Sequence, residues 1–417
     1  MKDKIRVGYV GLGRRGRWVL KDNFALMRDV EIVYMCDIVP ERAEKGRAMV
    51  EELGGYSPKV ITDYHDILKD DSIDAVIIMT CWSGRPQLAI DTMKAGKYAA
   101  IEVGCADNLQ ECFDLVRTSE ETCMPCMMLE NCCYSRREMM VLNMVKQGLF
   151  GEIVHCAGGY MHYLNYEDLF RDIETLDPPH YRLAHYINQN RENYPTHEFG
   201  PLSKILGINR GNRIVSLSSF ASKARALKQF SKDHLENPKW AEIDYKQGDI
   251  ITTVMTCANG ETVVLTLDTT APRPYYSRNF TVRGTLGMSF EDTNVVYLDG
   301  MKHGVRNNEE EFFEKYDHPL HKEYTAMKTR GGHGGIDWLV CRAFVEAVKN
   351  GTQTPIDVYD TATWLAIGPL SEASINQGGA VQEFPDFTNG KWENREPVVK
   401  GKYCLDEICE DPDTPIY

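Results

Sequence analysis

Residues Ile5-Arg6-Val7-Gly8-Tyr9-Val10 run straight into Gly11-Leu12-Gly13-Arg14-Arg15-Gly16, and no other junction in the 417 residues constrains the fold as strongly. A GxGxxG by itself recurs in ordinary turns. Here it follows a strand, opens a helix over about Arg15 to Phe24, and precedes Asp37 at the end of a second strand, 21 residues past Gly16. That context is what a bound dinucleotide requires. Glycines let backbone amides approach a pyrophosphate at a helix N-terminus, and the acid accepts hydrogen bonds from the adenosine ribose. Asp37 would repel a 2′-phosphate, so NAD(H) is favoured over NADP(H), a preference that Arg14, Arg15 and Arg42 weaken slightly.

The stretch to Glu130 continues the alternation. Strands are expected at Glu31 to Cys36, Ala75 to Met79, Tyr98 to Val103 and Cys126 to Leu129, with helices at Leu88 to Lys94 and Leu109 to Glu121. The unbroken apolar run from Ala75 suits a parallel strand covered on both faces, and the whole predicts a doubly wound Rossmann sheet in residues 1–130. The pattern then changes. After a helix from Arg136 to Gln147, β-branched, alternating segments dominate: Arg213 to Ala221, Asp249 to Cys257, Glu261 to Asp268, Asn279 to Val282 and Val295 to Leu298. Asn259-Gly260 signals a two-residue hairpin. Helices return at Gly335 to Lys349 and Thr361 to Asn376. Residues 131–417 thus read as an α+β domain, a large, mainly antiparallel sheet with a helix on one face and the other face open for a homo-oligomer, dimer or tetramer.

Composition narrows the partners. Forty-seven basic against 61 acidic residues leave a formal charge of −14, which disfavours nucleic acid and anionic membrane. No apolar run approaches the ~18 residues of a membrane span. Met1-Lys2-Asp3-Lys4 leads directly into a strand, so no signal peptide is visible and a cytoplasmic location is expected. The 13 cysteines include Cys123 and Cys126 at CxxC spacing, but no second CxxC or HxxxH completes a zinc set, so buried free thiols are expected and no metal.

The ends of the strands carry the candidate chemistry. Thr80-Cys81-Trp82, Glu102-Val103-Gly104 and Leu129-Glu130-Asn131 lie at carboxyl edges, where doubly wound sheets bind ligands. Each alone could be a cap or a loop ion pair. In this arrangement the chain resembles the Gfo/Idh/MocA oxidoreductase superfamily, whose dehydrogenases carry Glu-Lys-Pro at the fifth strand end, the lysine assisting proton movement. Here Glu102-Val103-Gly104 lacks that lysine, which argues against a plain polyol or sugar dehydrogenase.

Longer ordered stretches resemble glycoside hydrolase family 109: Met128-Leu129-Glu130-Asn131, Gln147-Gly148-Leu149-Phe150-Gly151-Glu152, Gly158-Gly159-Tyr160, Tyr194-Pro195-Thr196-His197, Asn209-Arg210-Gly211-Asn212-Arg213, Arg273-Pro274-Tyr275 and Gly331-Gly332-His333-Gly334-Gly335. The family is associated with NAD-dependent α-N-acetylgalactosaminidases. The resemblance implies transient oxidation at C3 of the sugar by tightly held NAD, loss of the C2 proton, elimination of the aglycone from C1, water addition and return of the hydride. It nominates His197, Tyr275, Glu130 and Tyr160 as catalytic and Arg182 and Tyr194 as substrate-binding. The cofactor set is Gly11, Leu12, Gly13, Arg14, Arg15, Gly16, Asp37, Thr80, Trp82, Glu102 and Asn131. His197 suits proton transfer because an unperturbed imidazole titrates near neutrality. His333 and Asp337, at a helix start, are expected to cap it. One departure adjoins His197: the family's Gly-Leu-Gly-Pro reads Glu198-Phe199-Gly200-Pro201, which leaves sugar specificity open. The other reading is an NAD-dependent sugar or polyol dehydrogenase.

Overall fold

A strand with no polar residue must be covered on both sides, and all four residues of Ala75–Ile78 are buried. This strand, β4, sits inside a parallel sheet with β1 (Ile5–Val10), β2 (Val30–Cys36), β3 (Lys59–Ile61), β5 (Tyr98–Ile101) and β6 (Cys126–Met128), in the order β3-β2-β1-β4-β5-β6. That order reverses direction between β1 and β4, the point at which Rossmann sheets open a crevice for a dinucleotide. The helix after the glycine turn spans Arg14–Asp22, and Phe24–Leu26 is a separate turn of 3-10 helix. The computed structural model describes residues 2–173, 180–327, 331–397 and 400–409.

The second sheet has eight strands in the order β13-β12-β11-β7-β10-β9-β8-β14. They are β7 (Ile153–Met161), β8 (Ile214–Ala221), β9 (Ile250–Cys257), β10 (Thr262–Asp268), β11 (Thr281–Gly284), β12 (Gly287–Phe290), β13 (Val295–Leu298) and β14 (Gln382–Glu383). Only β7 and β10 run parallel; every other adjacent pair is antiparallel, as expected for the C-terminal sheet. Burial alternates strictly along β10, with Val263, Leu265 and Leu267 inside and Thr262, Val264 and Thr266 on the more open face. The β9–β10 connection is one residue longer than the Asn-Gly spacing predicts. Cys257 N–H donates to the Glu261 carbonyl, which leaves Ala258, Asn259 and Gly260 in the loop, with Gly260 at φ +100°.

Strand β7 was absent from the expectation, because Ile-Val-His-Cys-Ala-Gly-Gly-Tyr-Met carries a Gly-Gly pair that weakens any strand signal. Those glycines are steric requirements. A Cβ on Gly158 would lie 2.7 Å from Cβ of Glu198, on the Thr196–Ile205 helix, and one on Gly159 would lie 2.5 Å from the Thr266 carbonyl oxygen.

Compactness divides the chain differently from sequence character. One unit comprises the described residues of Met1–Lys146, Tyr316–Thr363 and Asn394–Tyr417; the other comprises Gln147–Lys315 and Trp364–Glu393. The first therefore includes the Ile336–Asn350 helix along with the parallel sheet. All 13 cysteines are free thiols. Among the described residues no helix is long and apolar enough to cross a membrane.

Candidate functional site

In the first unit the glycine turn is held from three sides. Gly11 takes φ +93° and donates its N–H to the Cys36 carbonyl at the end of β2. A Cβ there would meet the Met79 carbonyl carbon at 2.7 Å, and one on Gly16 would meet the Gly11 oxygen at 2.1 Å. The Tyr9 hydroxyl donates to the Gly16 carbonyl at 2.6 Å. At Gly13 a Cβ would meet nothing within 4 Å, and as the N-cap of the Arg14–Asp22 helix Gly13 offers no side chain to the first-turn amides. The turn is thus packed tightly inside and open outside at a helix N-terminus, which fits a pyrophosphate.

Asp37 lies at the end of β2, buried, with Oδ2 accepting the Leu12 N–H at 2.7 Å and Oδ1 the Val39 N–H at 2.9 Å. Each carboxylate oxygen retains acceptor capacity for a ribose hydroxyl. Arg14 stacks its guanidinium over the Trp18 ring at 4.2 Å. At the end of β4, Thr80 is half-buried and Trp82 is buried. A Cβ on Gly104 would lie 2.3 Å from the Trp82 ring, so the Glu102-Val103-Gly104 departure goes with this indole. Val103 is only 5% exposed.

Arg15 is anchored. Its Nε donates to Glu102 at 2.9 Å, and its two terminal nitrogens grip Asp337 at 2.7 and 2.9 Å. Asp337 also accepts Asn131 Nδ2 at 2.7 Å and lies 2.8 Å from Nδ1 of His333. Burial pushes the Asp337 carboxyl upward, but hydrogen bonds from Arg15 and His333, with their charges, outweigh it and hold the group well below the usual carboxylate range. The capping expectation for His333 and Asp337 is thereby corrected. Gly335 is the N-cap and offers no side chain; Asp337 grips Arg15 instead, and His333 Nδ1 lies against Asp337. Glu130 is fully buried after β6 and accepts the Cys132 N–H at 3.0 Å, capping the 3-10 turn Asn131–Tyr134.

Arg85 carries no sequence signal and stands ahead of the helix expected from Leu88, although the helix in fact opens with it. It is buried and donates to the carbonyls of Thr80, Glu102 and Val103, tying the ends of β4 and β5 together.

In the second unit β7 delivers Tyr160 into an aromatic cluster. The Tyr160 ring lies 4.2 Å from that of Tyr194 and 5.7 Å from His197, and the Tyr194 hydroxyl lies 3.4 Å from His197 Nε2. Arg182 stacks over the Tyr194 ring at 4.9 Å and pairs with Asp168 at 3.1 Å. Burial pushes the Tyr160 phenol well above its ordinary value, with Arg182 pulling the other way, so it is a proton donor at neutral pH. The backbone leading to Tyr194 is pinned as well: Glu192 Oε1 accepts the Tyr194 N–H at 3.2 Å, and burial pushes that carboxyl up to about 8. Glu198 and Phe199 are buried, Glu198 against Gly158 of β7.

Tyr275 is placed differently from Tyr160, Tyr194 and His197. It is 58% exposed, with the Arg273 guanidinium 6.0 Å from its ring. Its neighbour Tyr276 is the one that packs edge-on against Tyr160 at 6.1 Å and His162 at 5.3 Å. Nothing in the sequence marks Tyr276, His162 or Asp168; the first two merely stand beside the Arg273-Pro274-Tyr275 and Gly158-Gly159-Tyr160 motifs.

These arrangements agree with what the chain resembles. Residues 5–129 match the model of an oxidoreductase family with an NAD-binding Rossmann fold, and residues 134–394 match the glycosyl hydrolase 109 C-terminal domain. An α-N-acetylgalactosaminidase of Tannerella forsythia is 38% identical, covering 94% of this chain and 88% of its own length. A glycosyl hydrolase family 109 protein of Stenotrophomonas maltophilia is 39% identical over 96% of this chain and 93% of its own. Among solved structures, a levoglucosan dehydrogenase in complex with NADH and L-sorbose superimposes at a TM-score of 0.68 with 16% identity, covering 92% of this chain and all (100%) of that one. An NAD-binding oxidoreductase of Klebsiella pneumoniae reaches 0.70 at 15% identity, with 92% and 100% covered. Fold and glycine turn define the NAD-binding class of the Gfo/Idh/MocA oxidoreductases. Within that class the chain belongs to glycoside hydrolase family 109.

Proposed function

We propose that the protein is a glycosidase working on a resident NAD, with α-N-acetylgalactosaminides or related sugars as substrates. The observation that carries this reading is Val103, a buried aliphatic side chain where the superfamily's dehydrogenases hold their proton-moving lysine. Proton transfer must then come from elsewhere, and the Tyr160–Tyr194–His197 cluster offers it. The α-N-acetylgalactosaminidase relative supports the substrate class.

NAD, when bound, supplies a reversible hydride acceptor for C3 of the sugar. The glycine turn would hold its pyrophosphate and Asp37 its adenosine ribose, with Thr80, Trp82, Glu102, Glu130 and Asn131 at the strand ends that open toward a nicotinamide. His197 takes the C2 proton, made acidic by a neighbouring ketone, and Tyr194 sets the imidazole. Tyr160, kept protonated by burial, donates to the C3 oxygen or the leaving group. Arg182, fixed by Asp168, anchors a substrate oxygen or the N-acetyl carbonyl. Tyr275 offers an exposed phenol to the leaving group. We assign the cofactor role to residues 1–130 and the substrate and oligomer roles to 131–417. The open face of β8, β9 and β10 suits a second copy of the chain, and the 13 free thiols suit a reducing, cytoplasmic compartment.

Protein purified without added cofactor should release roughly stoichiometric NAD on denaturation and cleave aryl glycosides with nothing added. Empty protein, or cleavage only with added NAD, would overturn the resident-cofactor reading. Asp37→Ala should weaken NAD and relax discrimination against NADP, because it removes both a ribose acceptor and a repulsive charge. Titrating both nucleotides into the stripped variant checks this, and unchanged selectivity would remove Asp37 from the ribose site.

A further inference from the structure

We propose that Asp337 is a positioning residue for the cofactor, the carboxylate that fixes Arg15, Asn131 and, through Arg15, Glu102 in the places from which they meet NAD. The inference deepens the resident-cofactor reading and rests on the nicotinamide site assigned there.

Four donors converge on two oxygens. Oδ1 takes Arg15 at 2.9 Å and Asn131 at 2.7 Å; Oδ2 takes the other Arg15 nitrogen at 2.7 Å and lies 2.8 Å from His333 Nδ1. Bidentate guanidinium pairing fixes orientation as well as distance, which a lone charge cannot do. Arg15 belongs to the glycine turn, Glu102 follows β5 and Asn131 follows β6, so one buried carboxylate coordinates three separate strand ends of the parallel sheet.

The Gly331–Gly335 run serves the same cluster. Gly331, His333, Gly334 and Gly335 all take positive φ, and a Cβ on Gly332 would lie 2.7 Å from Asp337 Oδ2. The loop therefore passes directly over the carboxylate, with His333 as its solvent-side donor, 55% exposed. Asp337 stays ionised across the working pH range, so the clamp is permanent once the chain folds.

Asp337→Asn keeps the shape and one acceptor but gives up the charge and part of the fork. Stripped wild-type and variant proteins, full length, are titrated with NAD, and release of bound NAD is timed. The expected result is affinity lowered and release accelerated by ~10–100-fold, the worth of one or two charge-assisted hydrogen bonds, with the melting point of the NAD-free protein changed far less. Asn131→Ala should weaken NAD too, and the double variant should lose less than the product of the two single losses, because both act through one carboxylate. Wild-type affinity in Asp337→Asn, or fully independent effects, would overturn the proposal. Should Asp337→Asn fail to fold, His333→Ala removes an exposed donor and is expected to weaken NAD by about 3- to 10-fold; unchanged affinity there would also overturn it. A wild-type protein that purifies empty counts against the resident-cofactor reading alone, since added NAD still decides the role of Asp337.

Discussion

His197→Ala is expected to lower turnover by roughly 10²–10⁴-fold, the usual worth of a positioned acid or base, while leaving the NAD content of the purified protein unchanged. The separation follows from what each group does: a residue that moves a proton need not hold the cofactor. His197 stands at the start of the Thr196–Ile205 helix, half-buried, with its Nε2 beside the Tyr194 hydroxyl and its ring edge-on to Tyr160. The cofactor candidates at the glycine turn and around Asp337 are held by their own hydrogen bonds, none of which is made by His197. Truncating a half-buried imidazole leaves the apolar packing of the Thr196–Ile205 helix, with Phe199 and Leu202 fully buried, in place. Turnover at saturating substrate and NAD released by denaturation are the two measurements. Variant protein that loses NAD in proportion to activity would make His197 a cofactor support and leave the proton to another group.

The first unit was legible because its signals are local. A six-residue strand, a glycine turn, a helix and an acid 21 residues on can be read within one βαβ unit, and the apolar run of β4 needs no partner to be recognised. The bounds of the elements read there moved by a few residues at most: the helix expected from Leu88 begins at Arg85, and the strand expected to reach Val103 ends at Ile101. The Pro40–Gly54 helix and the short strand β3 were not among them. What escaped at the candidate site depends on residues far apart in the chain. Asp337 meets Arg15 across 322 positions, and a first-turn aspartate looks the same whether it caps its own helix or grips a distant arginine. β7 hides because its glycines answer to Glu198 and Thr266, neither of which is near in sequence. At Tyr275-Tyr276 the motif points to one tyrosine while the bridge between Met161 and Ser277 turns the other toward Tyr160. Composition cannot choose between adjacent tyrosines. The Glu198-Phe199 departure beside His197 is likewise a matter of packing, for both side chains are buried, Glu198 against β7.

Deuterium is expected at C2 of the product when cleavage runs in heavy water, with no net NADH appearing. Removing hydride from C3 acidifies the C2 hydrogen, a base takes it, and the aglycone leaves from C1 without any attack at the anomeric carbon. When water adds back, C2 recovers its hydrogen from solvent through the same base. Direct displacement by paired carboxylates never breaks the C2–H bond, so it leaves protium there. The residues gathered in the second unit suit the first course: an imidazole and two phenols stand together at Tyr160, Tyr194 and His197, with Arg182 held by Asp168 beside them. The product's C2 isotope by NMR and absorbance at the NADH band during turnover together decide the matter. Protium retained at C2 would rule out the elimination course. NADH accumulating one-for-one with substrate would instead make the protein a dehydrogenase, with the proton cluster serving a one-way oxidation.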